Sequence, residues 1–223
     1  MKKLILSLLI AISIPCTAQK FQFPVNKAGV IEFTEVIDVP LSQTKLFANA
    51  QQWIVDTFKD YRAAVQIEDK ENEKLIIGGT TRLPYIYRDA LFIIKEDLDY
   101  TFIIECKDNK YRYIVSNIEF QETINFGKPE RNSPLRHLES IKKYNEKYNI
   151  YIHQLDSAKA LLNTNIKKKE RKTTEKYIQY CESELKSIDL TLERRINFFE
   201  SEYSTIYSLI NSLKAAMNKR DEF

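Results

Sequence analysis

Glycine is nearly missing, with four residues scattered through 223. A loop that cradles phosphate needs glycine where the backbone closes on the anion, so Gly-x-Gly-x-x-Gly turns and P-loops are excluded, as is a Gly-x-Ser-x-Gly nucleophile elbow. The same scarcity argues against an all-β fold built on many tight turns. Histidine is rarer still: His137 and His153 are sixteen positions apart, whereas two ligands on one helix face need a spacing of about three or four. Both read as surface helix positions, and neither a metal nor a cofactor is expected. A charge surplus is lacking too, since 34 basic residues face 31 acidic ones, so net charge selects no anionic partner and nucleic acid is not expected.

What is present is the material of a folded protein, 43% hydrophobic and 12% aromatic, where disordered chains are poor in both. The start reads as a secretory signal: Lys2 and Lys3, an apolar run from Leu4 to Ile14, then Cys16-Thr17-Ala18. Cleavage is placed after Ala18, which makes residues 1–18 a signal peptide and the mature protein periplasmic or extracellular. The run is too short to cross a bilayer and remain there. Cys16 raises lipid attachment as an alternative, which Ser13 and Pro15 disfavour by standing where a lipobox has a branched aliphatic and a small residue. Removing Lys2 and Lys3 leaves 32 basic against 31 acidic residues. The mature chain is nevertheless divided: residues 19–127 carry 13 basic and 17 acidic side chains, and residues 128–223 carry 19 and 14.

The first of these regions reads as β-α-β-β-β-β. Val30 to Val39 alternates Ile31, Phe33, Ile37 and Val39 against polar neighbours, and Pro40 ends the strand. Ser42 is a helix N-cap, followed by Leu46, Phe47, Ala50, Trp53, Ile54 and Phe58 in a stripe that must lie on a sheet. Short strands follow at Ala63–Glu68 and Lys74–Thr81, then a less regular stretch around Pro84. From Phe92 to Cys106 every second residue is apolar except Glu96, which predicts either one long ribbon or two strands broken near Glu96-Asp97. Lys107-Asp108-Asn109-Lys110 is a tight turn, and the last strand runs from Tyr111 to about Gln121. After Gly127, two patterns with apolar steps of three and four meet at the polar link Lys167–Lys172 and predict a long antiparallel helical hairpin over 128–223. Cys106 and Cys181 each sit on an apolar stripe and read as buried small hydrophobes, with a disulfide between them the alternative that an exported compartment permits.

Gly29 to Pro40, Ala50 to Lys59, Val65 to Lys70, Leu75 to Gly79 and Lys107 to Tyr113 together resemble the exported bacterial domain-of-unknown-function family numbered 4468. The resemblance covers roughly residues 30–120. It implies an α+β, TBP-like fold, a curved antiparallel sheet with helix on one side, and it implies export. It carries over no activity and no catalytic residue. Asn109 stands where the family's turn has glycine, a departure that a positive-φ asparagine absorbs. The hairpin lies outside the matched region.

Two functional readings follow. The first is a non-enzymatic envelope module that binds a protein or glycan partner, with tyrosine–arginine clusters Tyr85, Tyr87, Arg88 and Tyr111, Arg112, Tyr113 as candidate contacts and a homodimer through the hairpin. Cross-strand packing of these tyrosines is the plainer account. The second is a carboxylate-dependent glycan hydrolase using Glu96, Asp97 and Asp99. Glu96 is the most pointed of the three because it falls on an apolar face where desolvation raises a carboxyl pKa; a bend that lets it reach solvent is the plainer account.

Overall fold

The computed structural model describes residues 23–88, 93–124, 128 and 130–220. The expected signal peptide, its cleavage point and Cys16 lie outside these residues, as do Phe92, Gly127 and Pro129. Six strands and four helices follow in the order β1 (Phe33–Asp38), α1 (Gln43–Phe58), α2 (Tyr61–Ala64), β2 (Val65–Asp69), β3 (Lys74–Arg88), β4 (Ile93–Lys107), β5 (Lys110–Ile124), β6 (Glu130–Asn132), α3 (Leu135–Leu162) and α4 (Lys168–Met217). The sheet is antiparallel throughout, ordered β1-β5-β4-β3-β2, with β6 pairing on β5 beyond the end of β1.

Local chemistry sets most boundaries. The Ser42 hydroxyl accepts from the Lys45 N–H and starts α1, as expected of a short polar cap. The Asp108-Asn109 turn is stitched to the β1–α1 connection: Asp108 accepts from the Gln43 N–H, the Asn109 N–H donates to the Leu41 carbonyl, and the Val39 N–H donates to the Asn109 carbonyl. Asn109 holds φ of 62°, the conformation for which the resemblance implied glycine. Pro84 cannot donate to a ladder. The β3–β4 register shifts between Arg82 and Ile86 around it, yet β3 continues to Arg88 as one strand.

The long ribbon is unbroken at Glu96. Its irregularity lies between Asp99 and Thr101, opposite Asn117 at φ of 52° in β5. A two-residue turn pairs Cys106 with Tyr111, Ile104 with Tyr113 and Phe102 with Val115. Even positions of β4 therefore share a face with odd positions of β5, so Tyr111, Tyr113 and Val115 lie on the helix-covered face and not on the opposite one.

That covered face carries two helices where the sequence supplied a sheet-packing role for one. α1 lays Leu46, Ala50, Trp53 and Ile54 on it, and the C-terminal half of α4 adds Phe198, Phe199, Ile206, Ile210, Leu213 and Met217 to the same core. The helices are joined at named atoms: the Trp53 indole N–H donates to Ser212, and the buried Asn49 amide donates to the Met217 and Lys219 carbonyls, satisfying acceptors that the end of a helix leaves open. The other half of α4 leaves the sheet and pairs with α3 in an arm whose buried residues Leu155, Cys181 and Leu185 form a separate cluster. At 1.5 Å per residue α4 is about 75 Å long. No helix among the described residues is long and apolar enough to cross a membrane.

The opposite face of the sheet is open. A row of half-buried Ile76, Ile103 and Ile114, extended by exposed Ile67, runs across paired strands. It is flanked by the Lys74–Glu105–Arg112 ion pairs, and Arg82 pairs with Asp97 farther along the same face.

Candidate functional site

Where the arm leaves the sheet, a polar cluster is sealed inside the molecule. Alternation along β4 aims Glu96 at the covered face between Ile94 and Leu98, and the register places it opposite Glu122 of β5. The first turn of α3 supplies His137, whose ring stacks on Phe120 at 4.4 Å and on Phe198 at 6.1 Å. One face of α4 supplies Arg195 and Glu202, seven positions apart with Phe198 and Phe199 between them, a spacing that puts all four on the same side of the helix.

Glu96, His137 and Glu202 are each 0% exposed. The His137 Nε2 lies 3.3 Å from Glu96 Oε1 and 3.4 Å from Glu202 Oε1. Neither approach has hydrogen-bond geometry: this nitrogen and all four carboxylate oxygens are buried without a hydrogen-bond partner. Arg195 sits on the outer side, its Nη1 3.0 Å from Glu122 Oε2 and 3.2 Å from His137 Nδ1. Burial pushes the Glu96 carboxyl up to about 9, helped by the facing Glu122 and opposed by Arg195 and Arg194. Burial likewise pushes Glu202 up to about 7, against the pull of His137. Desolvation is the common cause, because an ionised carboxylate without water or donors is expensive.

This placement corrects two expectations. His137 is a core residue, because α3 begins against the sheet edge and its first turn is pinned between two phenylalanines. His153 is exposed, as expected. Glu96 does not reach solvent through a bend; β4 runs straight past it and the helices close over it. The proposed hydrolytic trio is therefore not assembled. Asp97 and Asp99 point to the open face, where Arg82 pairs with Asp97, and Thr80, Gln121 and Arg131 hold Asp99.

The tyrosine–arginine candidates are not brought together either. Tyr87 pairs with Ile94 and Tyr111 with Cys106, at opposite ends of β4, about 40 Å apart at the rise of a strand. Tyr85 packs edge-on against Phe198 at 4.7 Å, Tyr87 lies beneath the Arg194 guanidinium, and Arg88 is exposed. Tyr111 and Tyr113 are buried, with the Tyr113 hydroxyl donating to Glu35 at 2.7 Å, and Arg112 faces away from them to pair with Glu105. Cys106 and Cys181 are free thiols in the sheet core and the arm cluster respectively, so no bridge joins them.

Sequence reasoning missed Glu202 and Arg195. The signal that singled out Glu96, a charge on an apolar stripe, was available for Glu202, which stands four residues before Ile206. An open cleft of about 590 Å³ lies elsewhere, lined by Phe58, Gly79, Asp99, Tyr100, Glu119 and Arg131 among others.

No curated protein matches this chain. Two solved structures are similar: a DUF4468 family protein from Bacteroides ovatus, at 14% identity and TM-score 0.40 over 48% of this chain and 68% of that one, and a TBP-like protein from Parabacteroides distasonis, at 15% identity and TM-score 0.42 over 76% and 96%. Residues 33–121 match the family model described as a domain of unknown function (DUF4468) with TBP-like fold. The match covers the sheet unit of this chain together with α1 on its covered face, and that unit is an antiparallel α+β sheet similar to the TBP-like fold the family model describes.

Proposed function

We propose that the chain is an exported, non-enzymatic binding and assembly module of the cell envelope, whose arm meets a second copy of itself. The observation that carries this is the thinness of the arm's own core. Leu155, Cys181 and Leu185 are buried there with Tyr148, Tyr151, Ile152 and Ile178 half-covered, while Ile150 stays 56% exposed, Leu161 46%, Tyr177 40% and Tyr180 49%. An apolar groove of about 570 Å³ runs along the same region between Ala158, Leu161, Thr174 and Tyr177. Two-stranded helical pairs gain most of their stability from packing, and two such pairs side by side make a four-helix bundle that buries both seams. Export rests on the leader-like residues Lys2 to Ala18. The non-enzymatic part rests on the carboxylates suited to acid–base work being sealed in, as Glu96 is, or tied to donors on the open face, as Asp97 and Asp99 are.

Light scattering on the mature chain, residues 19–223, tests this. A dimeric mass is expected, reverting to monomer in the Ile150→Glu, Leu161→Glu double variant with its circular dichroism intact. A monomeric parent chain at high concentration sinks the self-association. Mass spectrometry of protein made with its leader is expected to find Gln19 as the first residue, and an intact Met1 sinks export by cleavage.

A further inference from the structure

From geometry that is independent of the binding reading, we infer that Glu96, His137 and Glu202 form a structural site for one divalent transition-metal ion of the zinc type, clamping the arm to the sheet. Among the described residues these three are a cluster with one ligand atom each, all within 4.8 Å of one another. A tetrahedral ion with bonds of about 2.0–2.1 Å to imidazole nitrogen and carboxylate oxygen has ligand–ligand edges of about 3.3 Å. The two nitrogen–oxygen separations are 3.3 and 3.4 Å. Neither oxygen meets the nitrogen with hydrogen-bond geometry, and two ligands flanking a shared ion need only the separation and not that alignment.

Charge leads to the same place. Glu122 and Arg195 pair with each other at 3.0 Å, leaving Glu96 and Glu202 fully enclosed, with no hydrogen-bond donor on any of their four carboxyl oxygens. A divalent ion brings the enclosed group to neutrality and gives a carboxylate oxygen from each glutamate a partner. Mixed nitrogen and oxygen donors suit zinc and its first-row neighbours better than calcium or magnesium, which favour all-oxygen shells of higher coordination. The second carboxylate oxygens are at hand for the remaining position, and full burial marks the site as structural.

Arg195 makes loading visible. A guanidinium has only donors, so the 3.2 Å approach of Arg195 to Nδ1 is a hydrogen bond only in the tautomer whose proton is on Nε2. When the ion takes the Nε2 lone pair, the ring proton moves to Nδ1, Arg195 is left to Glu122 alone, and any carboxyl protons leave to solvent.

The test uses mature protein stripped with a strong chelator and titrated with zinc chloride by calorimetry, with magnesium chloride as comparison. One zinc per chain is expected, with a raised melting temperature and no response to magnesium. Glu202→Gln and Glu96→Gln are each expected to weaken zinc binding at least tenfold, and His153→Gln to leave it unchanged. X-ray absorption is expected to show one imidazole with oxygen neighbours and no sulfur, which holds the test open if a variant fails to fold. Nitrogen NMR of His137 is expected to switch from the Nε2–H to the Nδ1–H tautomer on loading. A stripped chain that binds no zinc stoichiometrically and melts where the untreated chain melts overturns the inference and leaves protons alone in the cluster. Sulfur ligation, or binding that survives both glutamine variants, overturns it equally.

Discussion

Leu213→Ala asks whether the tail of the chain is part of the sheet's folding unit. Leu213 is fully buried in the core beneath the sheet. Truncation forfeits about 2.4 kcal/mol of transfer free energy at about 0.8 kcal/mol per methylene-sized group. The incompletely closed cavity brings the loss to about 3 kcal/mol, inside the roughly 2–5 kcal/mol range of such truncations. Against a total of about 5–15 kcal/mol this is a large fraction. With a urea m-value of about 2 kcal/mol/M, the midpoint falls by about 1.5 M. The assay is built into the protein: Trp53 is its single tryptophan, buried on α1 and bonded through its indole N–H to Ser212 of α4, so its fluorescence reads the seam between the two helices. Leu185→Ala, in the arm cluster, is the control. It removes the same atoms but opens only the arm, so hydrogen exchange rises in α3 and early α4 while the Trp53 midpoint moves by less than about 0.5 M. If Leu213→Ala leaves that midpoint in place, or Leu185→Ala shifts it as far, the tail is not integral to the sheet core.

Gly79 and Gly78 give a matched pair. A Cβ on Gly79 would come 2.5 Å from the buried Tyr100 ring and 2.8 Å from Phe58, which is half-buried against the core, so Gly79→Ala is expected to cost about 1–3 kcal/mol in thermal unfolding; Gly78→Ala meets only the exposed end of Gln66 and is expected to cost clearly less. At Asn109, φ of 62° makes Asn109→Gly neutral or slightly stabilising and Asn109→Ala destabilising by about 1 kcal/mol, readable from melting temperatures. Glu35 accepts from Lys214 and from Tyr113, which hold its carboxyl below the usual carboxylate range. A depressed acid contributes stability that is present above its unfolded pKa of about 4.3 and is lost as pH falls through the lower folded value. A urea-midpoint series from pH 6 to pH 2 is therefore expected to show a shallower acid decline below about pH 4 in Glu35→Gln than in the parent, and superimposable declines would refute the pairing.

The sheet was legible because its signals are local. Alternation in β1 and β4, the Ser42 cap, the Asp108-Asn109 turn and the α1 stripe each act over a few residues, and each needs only its own neighbours to be read. Face assignment in β5 is less local, since the turn's two-residue length decides which parity of β5 joins the covered side, and so whether Tyr111 and Tyr113 do. Pro84 was read as an interruption, whereas a register shift lets β3 carry it. The site was half legible. Glu96 broke a period-two pattern and could be noticed, but its fate depended on what covers it, and that cover comes from residues 100 positions farther along the chain. His137 lies next to Leu138 and four residues before Ile141, only a weak mark of burial, and Phe120 and Phe198, which enclose it, are contributed by a strand and a helix remote in sequence.

The position of the Glu96–His137–Glu202 cluster follows from the length of α4. A 50-residue helix that buries only its last twenty residues or so against the sheet is a long lever on a short base, and nothing in the apolar contacts alone fixes its azimuth, because hydrophobic burial is non-directional. Polar contacts are directional. Those near the C-terminal end, Asn49 to the last carbonyls and Trp53 to Ser212, fix one point on the base. Glu96, His137 and Glu202 meet at a second, at the place where α4 departs and where α3 begins. Three separate segments contribute one residue each, so the cluster closes only when strand, first helix turn and departing helix are all docked. Buried polar groups held in this way cost stability if left unsatisfied and confer a unique geometry if satisfied. Whatever satisfies these three side chains therefore bears on the direction in which the arm leaves the sheet.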